Sequence, residues 1–330
     1  MKKIYLYIIL FVGIASGKVF SQQMPLFTNY VLNAYAFNPA VVGSNSYIQA
    51  NMNYRNQWTG FDGAPKTYMA SLYGPFRKST KVALGGMIST DVTGLLQRTG
   101  GYLTYAYHIK LNDAWKLGMA LSAGATQYRV RLYDAKFIYD KDDQVLNGSL
   151  LSKIAYDVNA GLYLYRRNAF IGLSAYQANN KVDFSNSQTR MTPHLYAMAG
   201  YTYRVNKKFS VQPSTLIKYN APVGVQPEFS VRGIYMKQFW AGLSYRMNDA
   251  YSIMLGGVCF ERISIAYAYD ISATPIRKYN NGSHELMLIY SFIKTKKQHD
   301  ADEEEFNTID NSFKSNLKNK KKPASEEEGK

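Results

Sequence analysis

The chain has a single cysteine, Cys259, in 330 residues. That excludes an intrachain disulfide, a Cys-rich zinc or iron–sulfur site and a lipid-modified N-terminal cysteine. Set in an apolar run, the lone thiol reads as a packing residue. Charge is also sparse: Asp, Glu, Lys and Arg make up 19%, against about a quarter in soluble domains. Beyond the first residues no stretch approaches the ~20 apolar residues that a membrane helix needs. A mean hydropathy of −0.28 argues against a multi-span helical membrane protein. None of the four histidines, His108, His194, His284 and His299, has a ligand partner at helical spacing, so no metal site is signalled. There is no G-x-S-x-G elbow, Walker loop or G-x-G-x-x-G, hence no catalytic residue and no cofactor to assign. The expectation is a protein that is not an enzyme.

The charge that exists is unbalanced, with 39 basic and 23 acidic residues and a net +16. The excess is spread singly rather than gathered into a stripe or arm, which argues against nucleic acid as a partner. Asp140, Asp142 and Asp143 lack the glycine and spacing of a calcium loop and read as solvated. Asn147-Gly148-Ser149 matches a glycosylation acceptor, a pattern frequent by chance.

Tyrosine is abundant, at 29 residues, beside 16 Phe. Lys2 and Lys3 precede an apolar stretch, Ile4 to Ala15, of about twelve residues, the length of a signal h-region. Cleavage after Ser21 would leave Gln22 as the mature start. From Tyr47 onward the apolar period is two. Ile48, Ala50, Met52 and Tyr54 alternate with Gln49, Asn51, Asn53 and Arg55; Tyr156, Val158, Ala160 and Leu162 alternate with Asp157, Asn159 and Gly161. About fourteen such runs follow one another, an even number as bacterial barrels require. They begin near Ser46, Lys66, Lys81, Gly100, Trp115, Ile154, Ala169, Thr192, Phe209, Gln226, Gln238, Ala250, Arg262 and Ser283. Connections after even-numbered runs are short, whereas those after odd-numbered runs are often longer, as at 57–65, 128–153, 178–191 and 272–282. This asymmetry predicts an all-β fold: a transmembrane antiparallel up-and-down β-barrel with tight periplasmic turns and long outer loops. Tyr54, Trp58, Tyr73, Tyr107, Trp115, Tyr165, Tyr203, Tyr245, Tyr269 and Phe292 fall near strand ends and read as interfacial girdles. Arg55, Asp157, Glu228, Arg232 and Glu285 read as lumen-facing.

The segments outside the runs complete the division: signal peptide 1–21, N-terminal segment 22–44, barrel 45–293, polar tail 294–330. Pro25 and Pro39 oppose a central strand, so the N-terminal segment is expected to plug the lumen. The tail has too little apolar content to fold alone. Its Phe306, Ile309, Phe313 and Leu317 are three or four residues apart and could form one face of a short helix docked on a partner.

Several blocks resemble the PorP/SprF family of type IX secretion and gliding-associated outer-membrane proteins of Bacteroidetes. Gln22-Gln23-Met24-Pro25-Leu26-Phe27-Thr28-Asn29-Tyr30, followed by Asn38-Pro39-Ala40, looks like the family's mature N-terminus. Tyr54-Arg55-Asn56-Gln57-Trp58 with Gly63-Ala64-Pro65-Lys66-Thr67 looks like its YRxQW…G-x-P-x-T block, and Gly282-Ser283-His284-Glu285 like its closing strand. The departures are Leu26, Val31, the 128–153 loop and the tail. The resemblance implies a FadL-like fourteen-stranded barrel with a lumen-filling N-terminus. It implies an outer-membrane location and export or surface attachment of a secreted adhesin, recognised itself or through its C-terminal domain, beside periplasmic type IX components. On this reading Asn38, Pro39, Arg55, Gln57, Trp58, Pro65, Gly282, His284 and Glu285 shape the plug and first loop, and the barrel wall meets outer-membrane lipid. The alternative is a FadL-like transporter of a small hydrophobic solute.

Overall fold

A computed structural model describes residues 26–76, 81–131, 151–177, 181–184, 187–190, 192–260 and 262–292. The signal peptide, the acidic and glycosylation-like motifs at 140–149, and the tail with Phe306, Ile309, Phe313 and Leu317 lie outside the described residues.

Seventeen strands follow in chain order: β1 Gln49–Asn56, β2 Lys66–Pro75, β3 Val82–Thr93, β4 Leu96–Lys110, β5 Lys116–Val130, β6 Leu151–Arg166, β7 Ala169–Tyr176, β8 Lys181–Phe184, β9 Ser187–Arg190, β10 His194–Tyr201, β11 Tyr203–Arg204, β12 Phe209–Asn220, β13 Gly224–Tyr235, β14 Phe239–Arg246, β15 Ala250–Phe260, β16 Ile263–Ser272 and β17 Ser283–Ser291. β8 and β9 form a separate hairpin, and β10 and β11 are two stretches of one stave that both pair with β12. The rest pair antiparallel, each with its chain neighbour, and β1 pairs with β17 from Gln49↔Ser291 to Asn56↔His284. The result is a closed fourteen-stave barrel with no free edge to blunt.

The burial pattern is inverted relative to a soluble protein. In β1 the buried residues are Gln49, Asn51, Asn53 and Arg55. The outward Met52, Leu103 and Leu121 are 61%, 76% and 63% exposed. A wall that is apolar outside and polar inside is stable only with hydrocarbon around it, and a closed sheet satisfies every backbone N–H and C=O of the wall. Among the described residues no helix is long and apolar enough to cross a membrane.

The staves begin within about four residues of where the alternation places them. At one end the connections are all short: 76–81, 111–115, 167–168, 205–208, 236–238 and 261–262. At the other end 57–65, 131–150, 177–193 and 273–282 are long, between tight turns at 94–95, 221–223 and 247–249. The third long connection carries the β8–β9 hairpin, and the fourth a 3-10 turn at Pro275–Tyr279.

Three local expectations are corrected. Tyr73 and Tyr165 face the lumen rather than a girdle: the Tyr73 hydroxyl accepts from Gln49 Nε2 at 3.1 Å, and the Tyr165 hydroxyl meets His108 Nδ1 at 3.0 Å. Cys259 is an exposed residue at a β-bulge between Val258 and Phe260, not a packed one.

Candidate functional site: the occupied lumen

Residues 26–42 are almost wholly buried. They follow no strand. They turn twice in 3-10 geometry, at Ala34–Ala36 and Pro39–Val41, and pass through the inside of the barrel. Asn38 starts the second turn in extended backbone, its Oδ1 accepting from Ala40 N at 2.9 Å while Pro39 supplies the fixed φ of the first position. The Asn38 amide then donates to the carbonyls of Leu162 and Leu173 at 2.9 and 3.3 Å, tying the turn to β6 and β7. A Cβ at Gly161 would lie 2.2 Å from Asn38 Oδ1, so the wall is bare where the turn comes closest.

Aromatic packing fills the middle of the lumen. Phe37 meets Phe27 and Tyr196 edge-on, with ring centroids 6.3 and 5.6 Å apart, and Tyr35 lies 5.0 Å from Tyr73. Each such buried side chain contributes about 2 kcal/mol against exposure. The polar tips stay paired: Tyr30 with Ser214 and Tyr35 with Thr104, both at 2.8 Å. Burial pushes both hydroxyls up to about 12, so they are neutral at physiological pH. Toward the short-turn end, His108 Nε2 donates to the Val42 carbonyl at 2.7 Å.

Near the long-loop end the segment meets a buried charge cluster. The Thr28 hydroxyl donates to Asp270 at 2.8 Å and accepts from Arg55 Nη1 and Arg246 Nη2 at 3.0 and 3.2 Å. Glu285 accepts from the backbone N–H groups of Thr28 and Asn29 at 2.6 and 3.1 Å, and also from the Asn29 amide. Arg55 bridges Asp270 at 2.5 Å and Glu285 at 3.2 Å. Arg246 pairs with Glu228 at 2.9 Å and Asp249 at 2.8 Å, and Lys218 stands 3.6 Å from Glu228. Arg55 and Asp270 are each 2% exposed; Arg246, Glu228 and Glu285 are fully buried. Taking each ion out of water costs several kcal/mol, so this cluster is not there for stability alone. Its geometric effect is to fix one register of the N-terminal segment against four strands, β1, β14, β16 and β17.

The sequence-derived residues fall into three groups. Arg55 and Glu285 meet in the cluster, and Asn38 and Pro39 form the turn in mid-lumen. Gln57, Trp58, Pro65 and Gly282 lie together at the long-loop mouth. There Gln57 N donates to Pro65 O at 2.9 Å and closes the first loop on itself. Trp58, at φ 52, donates its backbone N–H to Ser283 Oγ at 3.1 Å; Thr59 N donates to Gly282 O at 2.8 Å, and Asn281 N to Thr59 O at 2.7 Å. The first loop is thereby stapled to the start of the last strand. Gly282 has φ +86, and a Cβ there would lie 2.6 Å from Tyr269. His284 stands apart, on the outer face, paired with the Tyr267 hydroxyl at 2.6 Å. Of the other lumen-facing charges, Asp157 lies inward without reaching the cluster, and Arg232 sits near the short-turn end.

Thr28, Lys218, Arg246 and Asp270 were not singled out from the sequence. Their signal was parity: Arg246 and Asp270 are charged residues at inward positions near the long-loop ends of their strands. The space left between segment and wall around Phe27, Met69, Arg98 and Tyr128 is small, about 50 Å³.

Solved structures with similar backbones are barrels of low identity. A monoaromatic hydrocarbon channel, CymD, is 12% identical, with a TM-score of 0.50 over 80% of this chain and 93% of that one. A Pseudomonas aeruginosa FadL homologue is 14% identical, with a TM-score of 0.45 over 79% and 94%. The Pseudomonas putida toluene transporter TodX is 9% identical, with a TM-score of 0.46 over 82% and 95%. The first of these supports the fold and nothing further. No curated protein matches the chain. The family described as type IX secretion system membrane protein PorP/SprF matches residues 19–290.

Proposed function

The chain belongs to the PorP/SprF family of type IX secretion system membrane proteins, and from that premise we propose that this outer-membrane barrel supports export or surface attachment of a secreted adhesin. The long loops face outward and receive the adhesin or its C-terminal domain. The short-turn end faces the periplasm, where the tail meets components of the secretion apparatus through Phe306, Ile309, Phe313 and Leu317.

The observation that carries this reading is the occupied lumen. Residues 26–42 are bonded to strands on opposite sides of the barrel, from β4 and β6 across to β14 and β17. A wall closed from inside, with a first loop stapled to the last strand, suits a rigid platform better than a conduit. A transporter of a small hydrophobic solute would need an apolar pocket and an exit; the space beside Phe27 is only about 50 Å³, and the larger basin at the short-turn end, about 470 Å³, is lined mainly by arginines, lysines and other polar residues. The reading is also non-enzymatic. Glu228, Asp270 and Glu285 are each engaged by an arginine rather than free to move a proton.

Truncation after Lys294 tests the proposal. The barrel inserts normally, and the adhesin disappears from the cell-surface proteome as it does in a strain lacking the whole gene. Normal surface display from the truncated strain would remove the tail from the account. Normal display without the gene would remove the export role itself.

A further inference from the structure

On the lipid-facing side of the wall, behind the Asn38 turn, lies a groove of about 740 Å³. It follows one row of outward residues across six strands: Tyr105, Leu121, Ala160, Ala175, Leu195 and Tyr219, each the register partner of the next. At about 4.8 Å between strands the row is about 24 Å long. Leucines flank its middle and tyrosines stand at its two ends, but Ala160 and Ala175 leave a hollow between them. Gly161 lines the floor by its backbone alone, and none of the lining residues is charged. The hollow is held in shape from inside. The Asn38 amide donates to the Leu162 and Leu173 carbonyls at 2.9 and 3.3 Å, and both leucines line the groove. A Cβ at Gly161 would meet Asn38 Oδ1 at 2.2 Å, and one at Gly172 would meet Asn38 Nδ2 at 2.7 Å, so the turn lies directly against the backbone of the wall. Pushing the wall outward would break both hydrogen bonds, and the turn blocks movement inward.

We infer that the groove is an acyl-chain site, which takes one hydrocarbon chain of a lipid from the leaflet at the long-loop end. A fixed recess in a surface bathed by hydrocarbon has to be filled, because an unfilled lining loses its dispersion contacts. The groove is continuous with that surface: Leu103 and Val158, on the same strands nearer the long-loop end, are exposed apolar residues. Ala175, Leu195 and Tyr219 each lie next to the last residue at the long-loop ends of β7, β10 and β12, whereas Tyr105 lies well down β4 toward Lys110. The groove therefore slants inward from the long-loop interface, with the Tyr219 hydroxyl at headgroup level. One leaflet's share of the ~30 Å hydrocarbon core is about 15 Å, so a chain fits within the row. Strands of such barrels tilt by about 35–45°, and a row perpendicular to them leans about 50° from the membrane normal. A membrane helix, tilted by about 20°, would cross the groove, and a second convex barrel would rest on its rims. A flexible chain follows it. Inside hydrocarbon the gain comes from packing: a chain in the hollow touches wall beneath and on both flanks, whereas one on the convex surface elsewhere touches it only beneath.

Photolabelling of the full-length protein in phosphatidylcholine vesicles tests it. The probe is a trace of phosphatidylcholine carrying a diazirine midway along one chain, and adducts are located by peptide mass spectrometry. Adducts on Leu121, Ala160, Ala175 and Leu195 are expected at about fivefold the yield on the outward Leu243, Ile253 and Leu255 of β14 and β15, a ratio equivalent to about 1 kcal/mol. Ala160→Phe and Ala175→Leu fill the hollow from the lipid side. Each brings the two yields toward parity while the heat-modifiable gel band, which reports folding, stays as in the parent; Leu243→Phe leaves the ratio unchanged. Even labelling of both walls in the parent, the pattern of ordinary boundary lipid, would overturn the inference. So would an enrichment that survives both fillings. In cell membranes, replacing Leu121 by p-benzoylphenylalanine is expected to give coupling to lipid; coupling instead to a second copy or to another membrane protein would overturn the assignment of the occupant.

Discussion

Replacing Glu285 by alanine removes the carboxylate that holds two successive backbone N–H groups of the lumen segment, at 2.6 and 3.1 Å, and one side of Arg55, at 3.2 Å. Arg55 keeps Asp270 but loses half of its neutralisation inside a site from which water is excluded. Removing one partner of a buried pair costs about 3–5 kcal/mol, because the remaining charge is left uncompensated. The orphaned N–H groups act in the same direction, at about 1–3 kcal/mol each if fully desolvated. The terms overlap, so about 3–5 kcal/mol is the working figure for the whole site. At about 2–4 °C per kcal/mol for a chain of this size, the barrel loses roughly 6–20 °C. The assay is the temperature at which detergent-solubilised protein loses its compact band on an unheated gel. Leu286→Ala, one residue away on the lipid face, is the control and shifts it by less than about 2 °C, in the range of surface changes. A second readout follows the segment itself. With Cys259→Ser as background, a Val31→Cys thiol reacts with maleimide faster once Glu285 is gone. A Glu285→Ala barrel that melts within about 2 °C of the parent, with unchanged labelling, would refute the reasoning.

Gly282→Ala forces a side chain into left-handed backbone, φ +86, and against Tyr269; strain of about 1–3 kcal/mol is expected, read as a lower transition in the same gel assay, and an unchanged one contradicts it. Tyr30 is held at about 12 against an ordinary value of 10. Its folded pKa is the higher one, so its contribution is complete below pH 10 and is lost as pH rises toward 12, at about 1.4 kcal/mol per pH unit. Tyr30→Phe therefore loses stability less steeply than the parent above pH 10, and parallel pH profiles would contradict the assignment.

The wall was legible because its information is local. Ile48, Ala50, Met52 and Tyr54 must face lipid, so Gln49, Asn51, Asn53 and Arg55 must face in, and any register slip of one would reverse both faces. The same parity would have placed Tyr73 with Thr67, Met69 and Ser71 inside; position near a strand end was the weaker cue. The lumen contents were less legible because they are set by contacts between distant residues. Thr28 meets Glu285 across 257 positions and Arg246 across 218. Nothing in the local pattern around Thr28 announces either. Asn38 and Pro39 could be read as a turn from their own chemistry, yet the strands receiving it, β6 and β7, are marked by no more than bare glycine positions at 161 and 172. Arg55 was expected to find a carboxylate, and it finds two because Asp270 and Glu285 lie on adjacent strands, diagonal to one another and two register positions apart on the inward face.

The central claim is that the chain's own N-terminal segment closes its barrel. Single-channel recording in planar bilayers measures this directly, on the parent protein and on a variant lacking residues 26–42. The account predicts little or no conductance from the parent and discrete open-channel steps from the deletion. A parent that conducts as freely as the deletion, or a folded deletion as closed as the parent, would contradict it.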